Sequence, residues 1–117
     1  MKEKTIHILG KDVRVRYCAA AENGFEQIRS KSIYDIDFKR QEDVIALAIS
    51  AIVSAYSKNN EEPPITAEDL LYDATPTDLV EIVKVVVELR NEWYSIPSVV
   101  EKLAESEEPE PEEPKNA

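Results

Sequence analysis

The chain contains one cysteine, one histidine and two glycines in 117 residues, and each scarcity closes off a class of chemistry. Cys18 has no partner for an internal disulfide, and its apolar, strand-like setting suits a small buried hydrophobe better than a reactive thiol. With His7 the only histidine, a zinc site of ordinary Cys/His ligands cannot be assembled. A Ser-His-acid arrangement would have to use that same histidine, on the polar face of a strand. Gly10 and Gly24 stand alone, so no glycine-rich loop is present to cradle phosphate, and so few glycines disfavour a sheet-rich fold. Bases are scarce too: 14 Lys and Arg face 24 Asp and Glu, a net charge of −10 with no basic cluster to displace counterions, so nucleic-acid binding is not expected. The carboxylates fall on predicted wet faces or at helix starts (Glu42-Asp43, Glu68-Asp69), and no spacing resembles a calcium loop. These gaps predict a protein that is not an enzyme and uses no cofactor or metal.

Long hydrophobic runs are missing as well. The uncharged stretch Val44 to Tyr56 has thirteen residues, where a bilayer span needs about 20. The start, MKEKTIHILG, lacks the apolar core of a signal peptide. The expectation is a soluble protein of a reducing cytoplasm, with no membrane partner.

What the chain does have is a strong helical rhythm. Val44, Leu47, Ala48, Ala51, Ile52 and Ala55 repeat at i, i+3 and i+4, and Ile45, Ile49, Val53 and Tyr56 widen the stripe around most of the circumference. Such a helix needs neighbours on several sides, which makes it the central core element, running from about Lys39 to Lys58. Ahead of it, Thr5–Leu9 and Asp12–Cys18 alternate polar and apolar residues around Gly10-Lys11, the pattern of a β-hairpin. Ala19–Arg29 reads as a short helix with Phe25 and Ile28 inward and Glu22 and Glu26 outward. Ser30–Phe38 reads as a loop that pins aromatic side chains onto the core, with Asp37 or a neighbour capping the central helix.

After the helix-breaking NNEEPP, Thr66-Ala-Glu-Asp69 has the form of a capping box and opens a short helix to about Tyr72. Thr75-Pro76 is a second start signal for a helix to Tyr94, whose core stripe is Leu79, Ile82, Val83, Val86, Leu89 and Trp93. Pro97 could start a last helix through Val99, Val100 and Leu103. From Glu105 to Ala117 the composition is Glu and Pro with no apolar residue larger than Ala, a tail expected to be disordered. The predicted fold is α+β and mostly helical: an N-terminal β-hairpin on four to five helices in one domain over residues 1–104, then the acidic tail 105–117.

Val80, Val87, Tyr94, Ile96, Val99 and Val100 exceed what a core of this size obviously needs. Either the hairpin and last helix cover them, or they form a partner-binding face, since large exposed apolar patches mark interaction sites. Trp93 and Tyr94 would be natural anchors of such a face, or would close the end of the core. The candidate interface is Val80, Val87, Trp93, Tyr94, Ile96, Val99 and Val100, and self-association is a further outcome the sequence allows.

The order of elements resembles the tail assembly chaperones of long-tailed bacteriophages and prophages. The likeness is carried by the Gly-Lys hairpin TIHILGKDVRVRY, by GFEQI at Gly24–Ile28, and by Arg29-Ser30-Lys31-Ser32 where the family often has Thr-Gly-Lys-Ser. A long apolar helix, a short helix like ITAEDLLYDA and a helix ending near Trp, TPTDLVEIVKVVVELRNEW, complete it. It covers about the first hundred residues; the loss of the glycine at Ser30 is a departure. The resemblance implies binding of the tape measure protein, recruitment of tail tube protein, and residence in the host cytoplasm rather than in the finished particle. Two other classes compete: a structural tail or head-completion protein, and an acidic inhibitor that mimics nucleic acid.

Overall fold

The structure, a computed structural model, describes residues 3–95. Two antiparallel strands, β1 (Glu3–Ile8) and β2 (Lys11–Arg16), are followed by α1 (Ala19–Arg29), a single 3₁₀ turn (Ile33–Asp35), α2 (Gln41–Ser57), α3 (Ala67–Tyr72) and α4 (Pro76–Ser95). The fold is thus α+β, a β-hairpin on four helices. The expected last helix and the acidic tail lie outside the described residues.

The hairpin keeps the expected faces: Ile6, Ile8, Val13, Val15 and Tyr17 are buried and His7 is exposed. Its turn, however, sits one residue earlier than the Gly-Lys pair. Ile8 pairs with Lys11, so the two turn residues are Leu9 and Gly10, both left-handed at φ 54° and 70°. Two positive φ values suit the right-handed twist of the strands, and glycine supplies one of them without strain. Leu9 accepts the conformation because its side chain packs against the core. Further ties fix the hairpin on the helices. Lys4 Nζ meets Glu88 of α4 at 2.9 Å, and the Arg14 N–H donates to the Tyr56 hydroxyl of α2 at 3.0 Å, with its guanidinium 4.4 Å from that ring.

The central helix is as expected: every side chain from Ile45 to Ala55 is buried except Val53, Ser50 and Ser54 included. Gly24 lets α1 approach it closely: a Cβ there would lie 2.8 Å from Ser50 Oγ and 3.1 Å from Ser50 Cβ. The same crowding leaves Ser50 Oγ buried with no hydrogen-bond partner among the described residues. Ser50→Ala removes that unsatisfied hydroxyl and should stabilise the fold by about 1 kcal/mol. Thermal denaturation checks this, an increase of about 4–8 °C being expected for a domain of this size; a decrease would mean the hydroxyl has an acceptor.

Both later helices begin as the sequence indicates. Thr66 and Asp69 form a reciprocal capping box on α3, and Thr75 and Asp78 repeat it on α4, the Asp78 N–H donating to Thr75 Oγ1 at 3.2 Å and the Thr75 N–H to Asp78 Oδ2 at 3.1 Å. On α4 the buried residues are Ile82, Val85, Val86 and Leu89, with Leu79, Val83 and Trp93 only half-buried. The inward stripe is therefore rotated from the expected one, towards Val85 and away from Val83.

Three expectations about side chains are overturned. Ile28 is exposed while Ala21 and Phe25 carry the contact of α1. Glu22 and Glu26 do not face open water: Glu22 Oε2 accepts from the Tyr17 hydroxyl at 2.7 Å, and Glu26 Oε2 from the Ile33 N–H at 2.8 Å. In the loop before α2 it is Ile33 that is buried and Ile36 half-buried, whereas the aromatics Tyr34 and Phe38 point outward. Cys18 is half-buried at the start of α1, where its carbonyl accepts from the Ala21 and Glu22 N–H groups.

Candidate functional site

The least expected feature of the interior is a charge. Asp43, the third residue of α2, is fully buried. Its Oδ1 accepts from Arg29 Nε at 2.7 Å, and its Oδ2 lies 2.6 Å from Lys31 Nζ and accepts from the Asp37 N–H at 2.9 Å. Burial by itself would raise the Asp43 carboxyl, but hydrogen bonds from Lys31, from the Asp37 backbone and from Arg29 prevail and hold it at about 2. One carboxylate thus fastens the end of α1, the following turn and the approach to α2. The α2 N-cap position, Arg40, gives no side-chain cap, and Asp37 caps only its own turn, accepting from the Lys39 N–H at 2.9 Å. Expected only as an acid at a helix start, Asp43 is therefore also an internal clamp.

What the clamp holds is one wall of a groove. Phe38 and Lys39 from the fastened loop, Gln41 and Val44 from α2, and Leu79, Val80, Val83 and Lys84 from α4 enclose about 460 Å³. The floor is apolar, Val80 is 68% exposed and Phe38 is partly so, and the charged groups in the lining are Lys39 and Lys84. A neighbouring hollow of about 440 Å³, bordered by Leu70, Leu71 and Ala74, shares Gln41 and Leu79 with it. The apolar surface therefore continues from α4 across the start of α2 to α3, where Leu71 and Tyr72 are exposed. No carboxylate, histidine or cysteine lines the main groove, and its titratable groups are the amines of Lys39 and Lys84. Among the described residues no group of three His, Cys, Asp or Glu is placed to hold a metal, and no helix is long and apolar enough to cross a membrane.

The residues expected at an interface distribute unevenly. Val80 is on the groove. Val87 is half-buried about two turns further along α4. Trp93 packs half-buried against Tyr17, ring centroids 6.4 Å apart, and so helps close the core. Tyr94 is exposed but held: its hydroxyl donates to Glu22, and Arg90 lies 5.1 Å from its ring. Burial and the Glu22 carboxylate push its phenol well above the ordinary tyrosine value. Ile96, Val99 and Val100 lie outside the described residues. Phe38, Val44, Leu79, Val83 and the two lysines were not among the expected contact residues. The legible signal was the 80-83-87-90-94 spacing, a second helical stripe beside the core one.

Comparison with protein-family models, with curated proteins and with solved structures gives no match to this chain.

Proposed function

We propose that the protein is a non-catalytic tail assembly chaperone that binds the tape measure protein of a long-tailed phage or prophage, in the host cytoplasm, and helps recruit tail tube subunits. The observation that carries this reading is the apolar groove at Phe38, Val44, Val80 and Val83 on an otherwise acidic chain. An amphipathic client helix can lay its apolar face into such a groove, with acidic residues at its edges meeting Lys39 and Lys84. The net charge of −10 keeps a loaded complex soluble. The order of elements and the Lys31-Ser32 turn supply the family resemblance; the clamp of Lys31 onto Asp43 gives that turn a physical task.

Co-expression with a tape measure protein encoded beside it tests the function. A soluble complex that forms only in the presence of this chain, and purified particles that lack it, are expected. A tape measure protein equally soluble alone, or this chain found by mass spectrometry in finished particles, would overturn the reading in favour of a structural component.

A further inference from the structure

We infer that Asp43 is a positioning residue for the groove: from inside the fold it holds Phe38 and Lys39 where a docked helix meets them, and so sets the affinity of the site. Phe38 and Lys39 are the two central residues of a turn closed by the Arg40 N–H, which donates to the Asp37 carbonyl at 2.9 Å. Inside the turn the Lys39 N–H donates to Asp37 Oδ1 at 2.9 Å, so both groove residues move with Asp37. Asp37 itself is fastened through its own N–H, 2.9 Å from Asp43 Oδ2. The turn lies between the 3₁₀ turn Ile33–Asp35 and α2, so neither a helix nor a strand ladder holds this wall of the groove.

Two other contacts reach the turn, and both are less directional. Ile36, just before it, packs half-buried against the core, and the Arg90 guanidinium stands 5.6 Å from the centre of the Phe38 ring. An apolar contact and a cation over a ring tolerate sliding, whereas a charge-assisted hydrogen bond fixes both distance and angle. The carboxylate that makes this bond is itself immobile, because it is fully buried and held by Arg29 at 2.7 Å and Lys31 at 2.6 Å. With the clamp released, the turn would occupy its groove-lining position only part of the time. Apparent affinity scales with that fraction, so a turn in place about one-tenth of the time binds about tenfold more weakly. Asp43 touches no partner, and its effect passes through Phe38 and Lys39.

The effect on a client rests on the function proposed above; the positioning itself does not. The test uses the full-length chain carrying Asp43→Asn, Phe38→Ala or both, each at a temperature where circular dichroism shows it folded. In the free chain, nuclear Overhauser contacts between the Phe38 ring and the Arg90 side chain should weaken several-fold on Asp43→Asn. With tape measure protein as titrant, Asp43→Asn should cost about tenfold in affinity in the native background and less than about twofold beside Phe38→Ala. Unchanged contacts and affinity in folded Asp43→Asn would make the clamp merely structural and overturn the inference. An equal loss in both backgrounds would also overturn it, since Asp43 would then act by a route other than the turn. If Asp43→Asn does not fold, Lys31→Met decides: it removes one of the two cations on the carboxylate, and full Phe38–Arg90 contacts in that chain would overturn the inference. Weakened contacts in a chain that binds no tape measure protein defeat the client reading alone.

Discussion

Asp43→Asn should lower the stability of the folded chain by about 3 kcal/mol and its melting temperature by more than about 10 °C. Removing one partner of a buried ion pair costs about 3–5 kcal/mol because the remaining charge is stranded in a poorly solvated place. Here the charges left behind are Lys31 and Arg29, whose side chains keep 29% and 28% of their exposure, and Arg29 retains Glu42 at 3.6 Å, so the low end of the range applies. Asparagine preserves the shape and can still accept from the Asp37 N–H, but its NH2 then faces the Arg29 donor, so the loss combines the charge with one acceptor. The pH dependence has a definite sign. The folded carboxyl at about 2 lies below its ordinary value of 3.8, so its stabilisation is complete above about pH 4 and is lost as the pH falls through about 2. Acid denaturation followed by circular dichroism should show this limb in the native chain and lack it in Asp43→Asn. An unchanged melting temperature would mean that Arg29 and Lys31 find other partners and that the clamp holds nothing.

Val80→Asp is the second large effect, and it falls on binding rather than on folding. At 68% exposure, on a helix whose inward stripe is Ile82, Val85, Val86 and Leu89, the substitution should change stability by less than about 0.5 kcal/mol. At the centre of a docked apolar face the same carboxylate would be desolvated, a cost of about 2 kcal/mol or more, or at least about 30-fold in affinity for a client helix. Titration calorimetry beside thermal denaturation separates the two quantities. Equal affinity of the native and substituted chains would remove the groove from the interface; a collapse of stability would show that Val80 belongs to the core.

The periodic parts of the fold were legible because one force dominates them. The alternation at Ile6, Ile8, Val13 and Val15, the rhythm of α2, the Thr66–Asp69 capping box and the Thr75-Pro76 start are local patterns that tertiary contacts do not override. The errors lie where tertiary contacts decide. Asp43 looks like an ordinary acid in the first turn of a helix, and only the convergence of Arg29, Lys31 and the Asp37 N–H makes it an interior charge. Ile28 and Phe25 share an apolar pattern, yet with Gly24 close against Ser50 of α2 it is Phe25 that is buried and Ile28 that stays exposed. The loop 30–38 is expected to pin its aromatics onto the core, whereas Ile33 and Ile36 fill the core there and Tyr34 and Phe38 stay outside. The groove was half-read from α4, through Val80, because its other wall comes from a loop more than forty residues away.

Methyl chemical-shift mapping on the full chain, with tape measure protein added, tests the central claim most directly. Shifts concentrated on Val44, Leu79, Val80 and Val83, with Ile28 and Val53 of the separate α1–α2 hollow unmoved, are the expected result. Shifts confined to Ile28, Ile49 and Val53, or no shifts at saturating client, would contradict it.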